Sequence, residues 1–148
     1  MIIVLQRVKE ASVEVEGEVV GEIGLGVCLL VGVEKEDSEA DAQYLAKKVT
    51  ELRIFPDREG KMNLSLSDVQ GAVLAVSQFT LVGSARKGRR PSFDQAEAPE
   101  KAKKLFDHLV DSIRQRQIKV ETGVFQAMMD VHLVNDGPVT FILQSKEP

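Results

Sequence analysis

Two short segments of the chain hold polar residues where an apolar pattern would not place them. The first is Ser77-Gln78-Phe79-Thr80-Leu81, at the end of an apolar run that begins near Gly71. Polar side chains ending a core strand need partners, because a buried polar group without a hydrogen bond is costly. A neighbouring loop would supply them, and so would a substrate. Thr80 offers a hydroxyl nucleophile, yet no residue of the segment is a plausible base to activate it. The second segment is Asn135-Asp136-Gly137-Pro138-Val139-Thr140. Asp-Gly is a strong turn dipeptide, so the segment reads as a hairpin turn. Pro138 fits that reading poorly, since it cannot donate a ladder hydrogen bond in a central return strand. A Gly-Pro bond takes the cis form at modest cost, and such a peptide would leave carbonyl oxygens free to point outward.

Other chemistries leave no trace in the sequence. The two histidines, His108 and His132, have no motif partner, and structural or surface roles suit both. Nothing signals a Ser-His-Asp triad. No group of cysteine, histidine and carboxylate residues has metal-ligand spacing. Gly24-Leu25-Gly26 is no phosphate-binding loop, and no cofactor is called for. Cys28 is the single cysteine, so an internal disulfide is impossible; it lies in the apolar run Val27-Cys28-Leu29-Leu30-Val31 and reads as a buried structural thiol.

Net charge is −4, which argues against nonspecific binding along nucleic acid and leaves room for binding one RNA end. Arg86-Lys87-Gly88-Arg89-Arg90 is a local basic cluster, either a solvated loop or a phosphate contact. The N-terminus lacks a basic region ahead of its short apolar run, unlike a signal peptide. The longest apolar stretch, residues 27–33, is too short to span a bilayer. A soluble, cytoplasmic protein is expected.

The elements that must hold these segments follow from periodicity. Residues 2–8 read as an apolar strand, residues 12–16 alternate, Gly17 marks a turn and Glu18 begins the return. Residues 25–33 favour a central strand. Ser38, with Asp41 three residues on, caps a helix carrying Ala42, Leu45, Val49 and Leu52 on one face. It should end near Ile54, ahead of Pro56. Residues 71–81 return to strand. Pro99 suits a first helical turn, and Ala102, Leu105, Phe106, Leu109, Val110 and Ile113 follow helical spacing. Residues 118–121 alternate again, and 131–134 and 139–143 look like paired strands around the turn Asn135-Asp136-Gly137-Pro138. The 148 residues are expected to form one domain, 1–148, of α+β class: a largely antiparallel or mixed, barrel-like sheet with two main helices.

With both odd segments in view, the sequence resembles the D-aminoacyl-tRNA deacylases of the bacterial and eukaryotic type. The resemblance covers nearly the whole chain and includes Gln6-Arg7-Val8, Ala11-Ser12-Val13, Gly32-Val33, Arg53-Ile54-Phe55, Gly60-Lys61-Met62-Asn63, Arg90-Pro91-Ser92-Phe93 and Thr122-Gly123. It implies a homodimer that hydrolyses the ester bond of D-aminoacyl-tRNA, with two active sites at the subunit interface; neither DNA nor a membrane is expected as a partner. It implies that Gly137-Pro138 is cis, enters the other subunit's site with Val139 and Thr140 beside it, and excludes L-side chains by backbone carbonyls. Glycyl-tRNA mischarged on tRNA(Ala) would be excluded only weakly. Ser77, Gln78, Phe79 and Thr80 would form the opposing catalytic wall. Main-chain N–H groups near Gln78 and Phe79 would polarise the ester, and the 2′-hydroxyl of the terminal adenosine would help activate water. Phe125 and Met129 match positions that cradle the terminal adenine. The intervening Gln126-Ala127-Met128 departs from the family's more usual small first and acidic third residue. Arg7 is expected to anchor the Gly-Pro loop through neighbouring carbonyls, and Arg86, Lys87, Arg89 and Arg90 to meet tRNA phosphates. Two alternatives are a noncatalytic RNA-end or protein-binding module of the same fold, and an esterase or amidase that uses Thr80 covalently.

Overall fold

The computed structural model describes residues 1–147. The two N-terminal apolar segments join in one long strand, β1 (Ile2–Val15), which turns at Glu16 and Gly17 into β2 (Glu18–Ile23). Both turn residues have positive φ, 51° and 80°, the requirement of a tight hairpin whose twist matches its strands. Strand β3 (Gly26–Gly32) runs antiparallel to the first half of β1. Strand β6 (Ala72–Ser77) lies parallel to β3, and β7 (Val120–Thr122) parallel to β6.

Parallel neighbours need crossovers, and the two helices occupy them. Helix α1 (Glu39–Glu51) opens on the expected Ser38–Asp41 capping box and leads into a small hairpin, β4 (Phe55–Pro56) with β5 (Met62–Leu64). It ends before Ile54, because Leu52 already adopts extended geometry and Arg53 Nε donates to Asn63 O at 2.9 Å across that hairpin. Helix α2 (Pro99–Arg114) carries Pro at its start and buries Leu105, Phe106, Leu109, Val110 and Ile113, as the spacing requires.

Strand alternation builds two cores. Val27, Leu29, Val31, Val73 and Ala75 face the helices with Ile3 and Leu5. Cys28, Leu74 and Val76 face the other way, meeting Val8, Ala11, Val13 and Ile23. Each fully buried Leu or Ile contributes roughly 1.5–3 kcal/mol. Burial pushes the Cys28 thiol up to about 11, which keeps it protonated and inert. The sheet curls until β2 approaches β7: a Cβ added at Gly21 would stand 2.6 Å from Thr122 O. The expected barrel-like mixed sheet with two helices is therefore present. No helix among the described residues is long and apolar enough to cross a membrane.

Two local expectations are corrected. Residues 71–81 are not one strand, because β6 stops at Ser77 and Phe79–Val82 forms a short 3-10 helix. Residues 130–144 are not a hairpin either. They form one strand, β8 (Asp130–Gln144), whose two halves both pair with β1. The register jumps between Gln6↔Thr140 and Val8↔Asn135, so Asp136-Gly137-Pro138-Val139 bulges out opposite Arg7. Asp-Gly-Pro chemistry suits a turn or a bulge equally, and only the pairing partner decides between them.

Candidate active site

The C-terminal end of β6 opens a cleft of about 820 Å³, lined by Ser77, Gln78, Phe79, Thr80, Phe93, Phe125 and Met129 among others. Its rim follows from how the strand stops. The Gln78 N–H still continues the ladder, donating to Val31 O at 2.7 Å. The chain then coils into the 3-10 helix, whose first amides have no preceding turn to bond. Among the described residues, the Phe79 and Thr80 amides donate to no protein acceptor. Gln78 was expected among the free donors, and its committed amide moves that pair one residue onward. Gln78 Nε2 instead donates to Thr80 Oγ1 at 3.1 Å. Neither histidine lines the cleft. Phe79 is 59% exposed, its ring tilted against Phe93 with centroids 5.1 Å apart.

The opposite wall is a loop, not a helix. Phe125 and Met129 flank a turn in which Gln126 has φ +66°. Phe125 leans on Phe106 of α2 at 6.5 Å between centroids. Met129 packs so closely on Gly123 that a Cβ there would lie 2.6 Å from its sulfur. Glu97 and Phe93, unassigned from sequence, also line the cleft. The Glu97 carboxylate accepts the Ala98 N–H at 2.8 Å and pairs with Lys101 at 3.1 Å. Those hydrogen bonds hold it below the usual glutamate range. Phe93 could have been found as part of the Arg90-Pro91-Ser92-Phe93 segment; Glu97 carries no sequence signal beyond its place ahead of Pro99.

Arg86, Lys87, Arg89 and Arg90 are exposed on a loop pinned at its base, where Ser84 and Ser92 exchange N–H···O bonds of 2.7 and 2.8 Å. Phe93 follows that base directly, so the basic loop hangs from the cleft wall.

The Gly137–Pro138 peptide is cis. Arg7 is buried beneath its bulge. Arg7 Nη1 donates to Ile54 O at 2.7 Å, while Nε lies 3.2 Å from Asp136 Oδ2 as an ion pair whose N–H makes no hydrogen bond. Arg7 thus donates to a distant carbonyl and pairs ionically with an acidic side chain, where bonds to neighbouring carbonyls of the loop had been expected. Asn135 closes the bulge, donating from Nδ2 to Arg7 O at 2.9 Å and to Val139 O at 3.0 Å. Gln6 Nε2 donates to Thr140 Oγ1 at 3.2 Å. Val139 is buried and Thr140 exposed. Asn135 and Asp136 belonged to the odd segment, but nothing in the sequence assigned their partners.

The bulge and the cleft of one chain stand apart. Arg7 pairs with Val27 of β3, whereas Ser77 pairs with Val31. Gly137 and Pro138 are not among the residues that line the cleft.

An α+β sheet with a cleft at the end of β6, rimmed by main-chain donors and walled by aromatic rings, defines a site suited to an activated carbonyl attached to a flat group. The chain belongs to the D-Tyr-tRNA(Tyr) deacylase family, whose pattern matches residues 4–144. A Geobacter sulfurreducens protein named D-aminoacyl-tRNA deacylase is 61% identical over 143 residues, covering 97% of this chain and 94% of the relative. One of the same name from Bacillus cytotoxicus is 58% identical over 146 residues, covering 99% and 100%. Among solved structures, the c-Myc DNA unwinding element binding protein superposes with a TM-score of 0.93 at 38% identity, covering 99% of this chain and 100% of its own. A probable eukaryotic D-amino acid tRNA deacylase shares the fold, with a TM-score of 0.83 at 18% identity and coverage of 96% and 97%.

Proposed function

We propose that the chain hydrolyses the ester of D-aminoacyl-tRNA, releasing the free D-amino acid and tRNA, and that residues 1–148 act as one domain in a cytoplasmic homodimer. The observation that carries this reading is the pair of unengaged amides, Phe79 and Thr80, on a cleft whose far wall holds Phe125 and Met129. Phe125 and Met129 sandwich the terminal adenine, since stacking holds an unpaired base whatever its neighbours. The ester carbonyl then meets the Phe79 and Thr80 amides. They stabilise the tetrahedral oxyanion, and one such donor is worth roughly 2.7–4 kcal/mol. Water, activated with help from the adenosine 2′-hydroxyl, attacks the carbonyl carbon, and the 3′-oxygen of the tRNA leaves with a proton. Ser77 and Gln78 shape this wall, and Thr80 positions without attacking.

Chirality is read by the partner's main chain. The separation of bulge and cleft within one chain supports insertion of Gly137-Pro138 from a second subunit. A partly uncovered apolar row supports the pairing itself: half-buried Val4 lies between half-buried Leu30 and Ile142 in register, and Ile142 is 68% exposed. Carbonyl oxygens of the inserted loop accept from the substrate ammonium, while an L-side chain would strike the backbone. Glycine meets no such wall, so glycyl-tRNA mischarged on tRNA(Ala) is also cleaved. The basic loop meets acceptor-end phosphates. A net charge of −4 argues against nonspecific binding along DNA, and neither DNA nor a membrane is a partner in this reading.

Deacylation of matched D- and L-aminoacyl-tRNA tests the reading. We expect the D-ester to be cleaved and the L-ester spared. Cleavage of neither, with the RNA end still bound, would instead fit a noncatalytic module.

A further inference from the structure

A cluster on the face of β8 that turns away from the cleft has the makings of a metal site. Glu14 and Asp130 are direct cross-strand partners between β1 and β8, and His132, opposite Ser12, lies two residues along from Asp130. Residues i and i+2 of a strand share a face, so all three side chains emerge together. One ligand atom from each lies within 4.8 Å of the others, and His132 Nε2 is 3.7 Å from Glu14 Oε1. Donors bound at about 2.0–2.1 Å to one tetrahedral ion stand about 3.3 Å apart. Small rotations of Asp130 and His132, both exposed, close that difference on a fixed backbone.

A second observation points the same way. Like charges directly opposite each other destabilise a sheet, and Glu14 faces Asp130. Among the described residues no lysine or arginine pairs with either carboxylate. The basic partner beside the pair, among the described residues, is the His132 imidazole alone, and that ring supplies a nitrogen ligand.

We propose that Glu14, Asp130 and His132 bind one divalent ion of the zinc class. Calcium and magnesium prefer all-oxygen shells, whereas an imidazole with carboxylates suits zinc and its first-row neighbours. Water completes the coordination. The ion clips β1 to the start of β8, on the opposite face from Val131, which lines the cleft. No spacing in the sequence groups these residues, because only the pairing of the two strands does.

The test is a calorimetric titration of the metal-free protein with zinc chloride, repeated on His132→Ala, Glu14→Gln and His108→Ala. Circular dichroism checks that each variant is folded. We expect one zinc per chain in the wild type and in His108→Ala. His132→Ala should lose that uptake, and Glu14→Gln should bind on the order of tenfold more weakly or worse. Cobalt(II) should give visible absorption bands in the wild type that vanish in His132→Ala. No zinc uptake by the wild type, or uptake unchanged in folded His132→Ala, would overturn the proposal.

Discussion

At Gly137 the backbone has φ +123°, a region nearly closed to residues with a Cβ. A methyl group there would also meet Val139 Cγ2 at 2.8 Å and Arg7 Nη2 at 3.1 Å. Gly137→Ala should therefore distort the bulge, at roughly 1–3 kcal/mol, and lower cleavage of D-aminoacyl-tRNA in a steady-state assay. Arg7 supports the bulge from below. Arg7→Ala removes a hydrogen bond from a charged group, worth roughly 1.5–3 kcal/mol, and strands Asp136. We expect a lower Tm and an eroded D-over-L preference, whereas unaltered L-rejection in both variants would mean that chirality is read elsewhere. Thr80→Ala loses only the bond from Gln78 Nε2. That bond is worth about 0.5–1.5 kcal/mol, so single-turnover rates should fall a few-fold. Complete loss in a folded dimer would instead favour Thr80 as nucleophile.

Among the elements, α2 begins where the cleft ends, and Glu97 joins them. Its carboxylate pKa is lowered by the Ala98 N–H and by Lys101, so its stabilising contribution is full above the ordinary glutamate range. That contribution fades as pH falls through the lowered folded value. The Tm gap between wild type and Glu97→Gln should be flat near neutrality and close in acid; a gap that widens in acid would contradict this. The basic loop acts separately. Replacing Lys87 and Arg89 should reduce the salt slope of tRNA binding by about one to two and leave single-turnover cleavage nearly unchanged. An unchanged slope would return the loop to solvent.

These elements were unequally legible in the sequence. Helix α2 could be read because its apolar spacing serves one buried face. Ser77 to Thr80 and Gly137-Pro138 stood out because each breaks a local rule that packing alone would have kept. The continuity of β8 was hidden, since a bulge and a hairpin use the same residues and differ only in what they pair with. The free amides shifted from Gln78 to Thr80 for a similar reason: Val31 O, a long-range partner, takes the Gln78 N–H.

For the whole molecule, the central claim is that one subunit's main chain completes the other's cleft. A closed two-fold pair with the Leu30–Val4–Ile142 row at its centre would give both sites at once. Dilution that dissociates the dimer should then abolish specific activity, and full activity in the monomer would rule out a shared site. Mixed dimers test the claim most directly. Gly137→Ala spoils the loop a chain lends, while Phe125→Ala with Met129→Ala spoils the cleft it keeps. Each variant alone should be nearly inactive on D-aminoacyl-tRNA. Unfolded together and refolded, they should recover about a quarter of wild-type activity, because half the dimers are mixed and each mixed dimer has one intact site. The recovered activity should still spare the L-ester. No recovery in a mixture shown to contain mixed dimers would contradict a site shared between subunits.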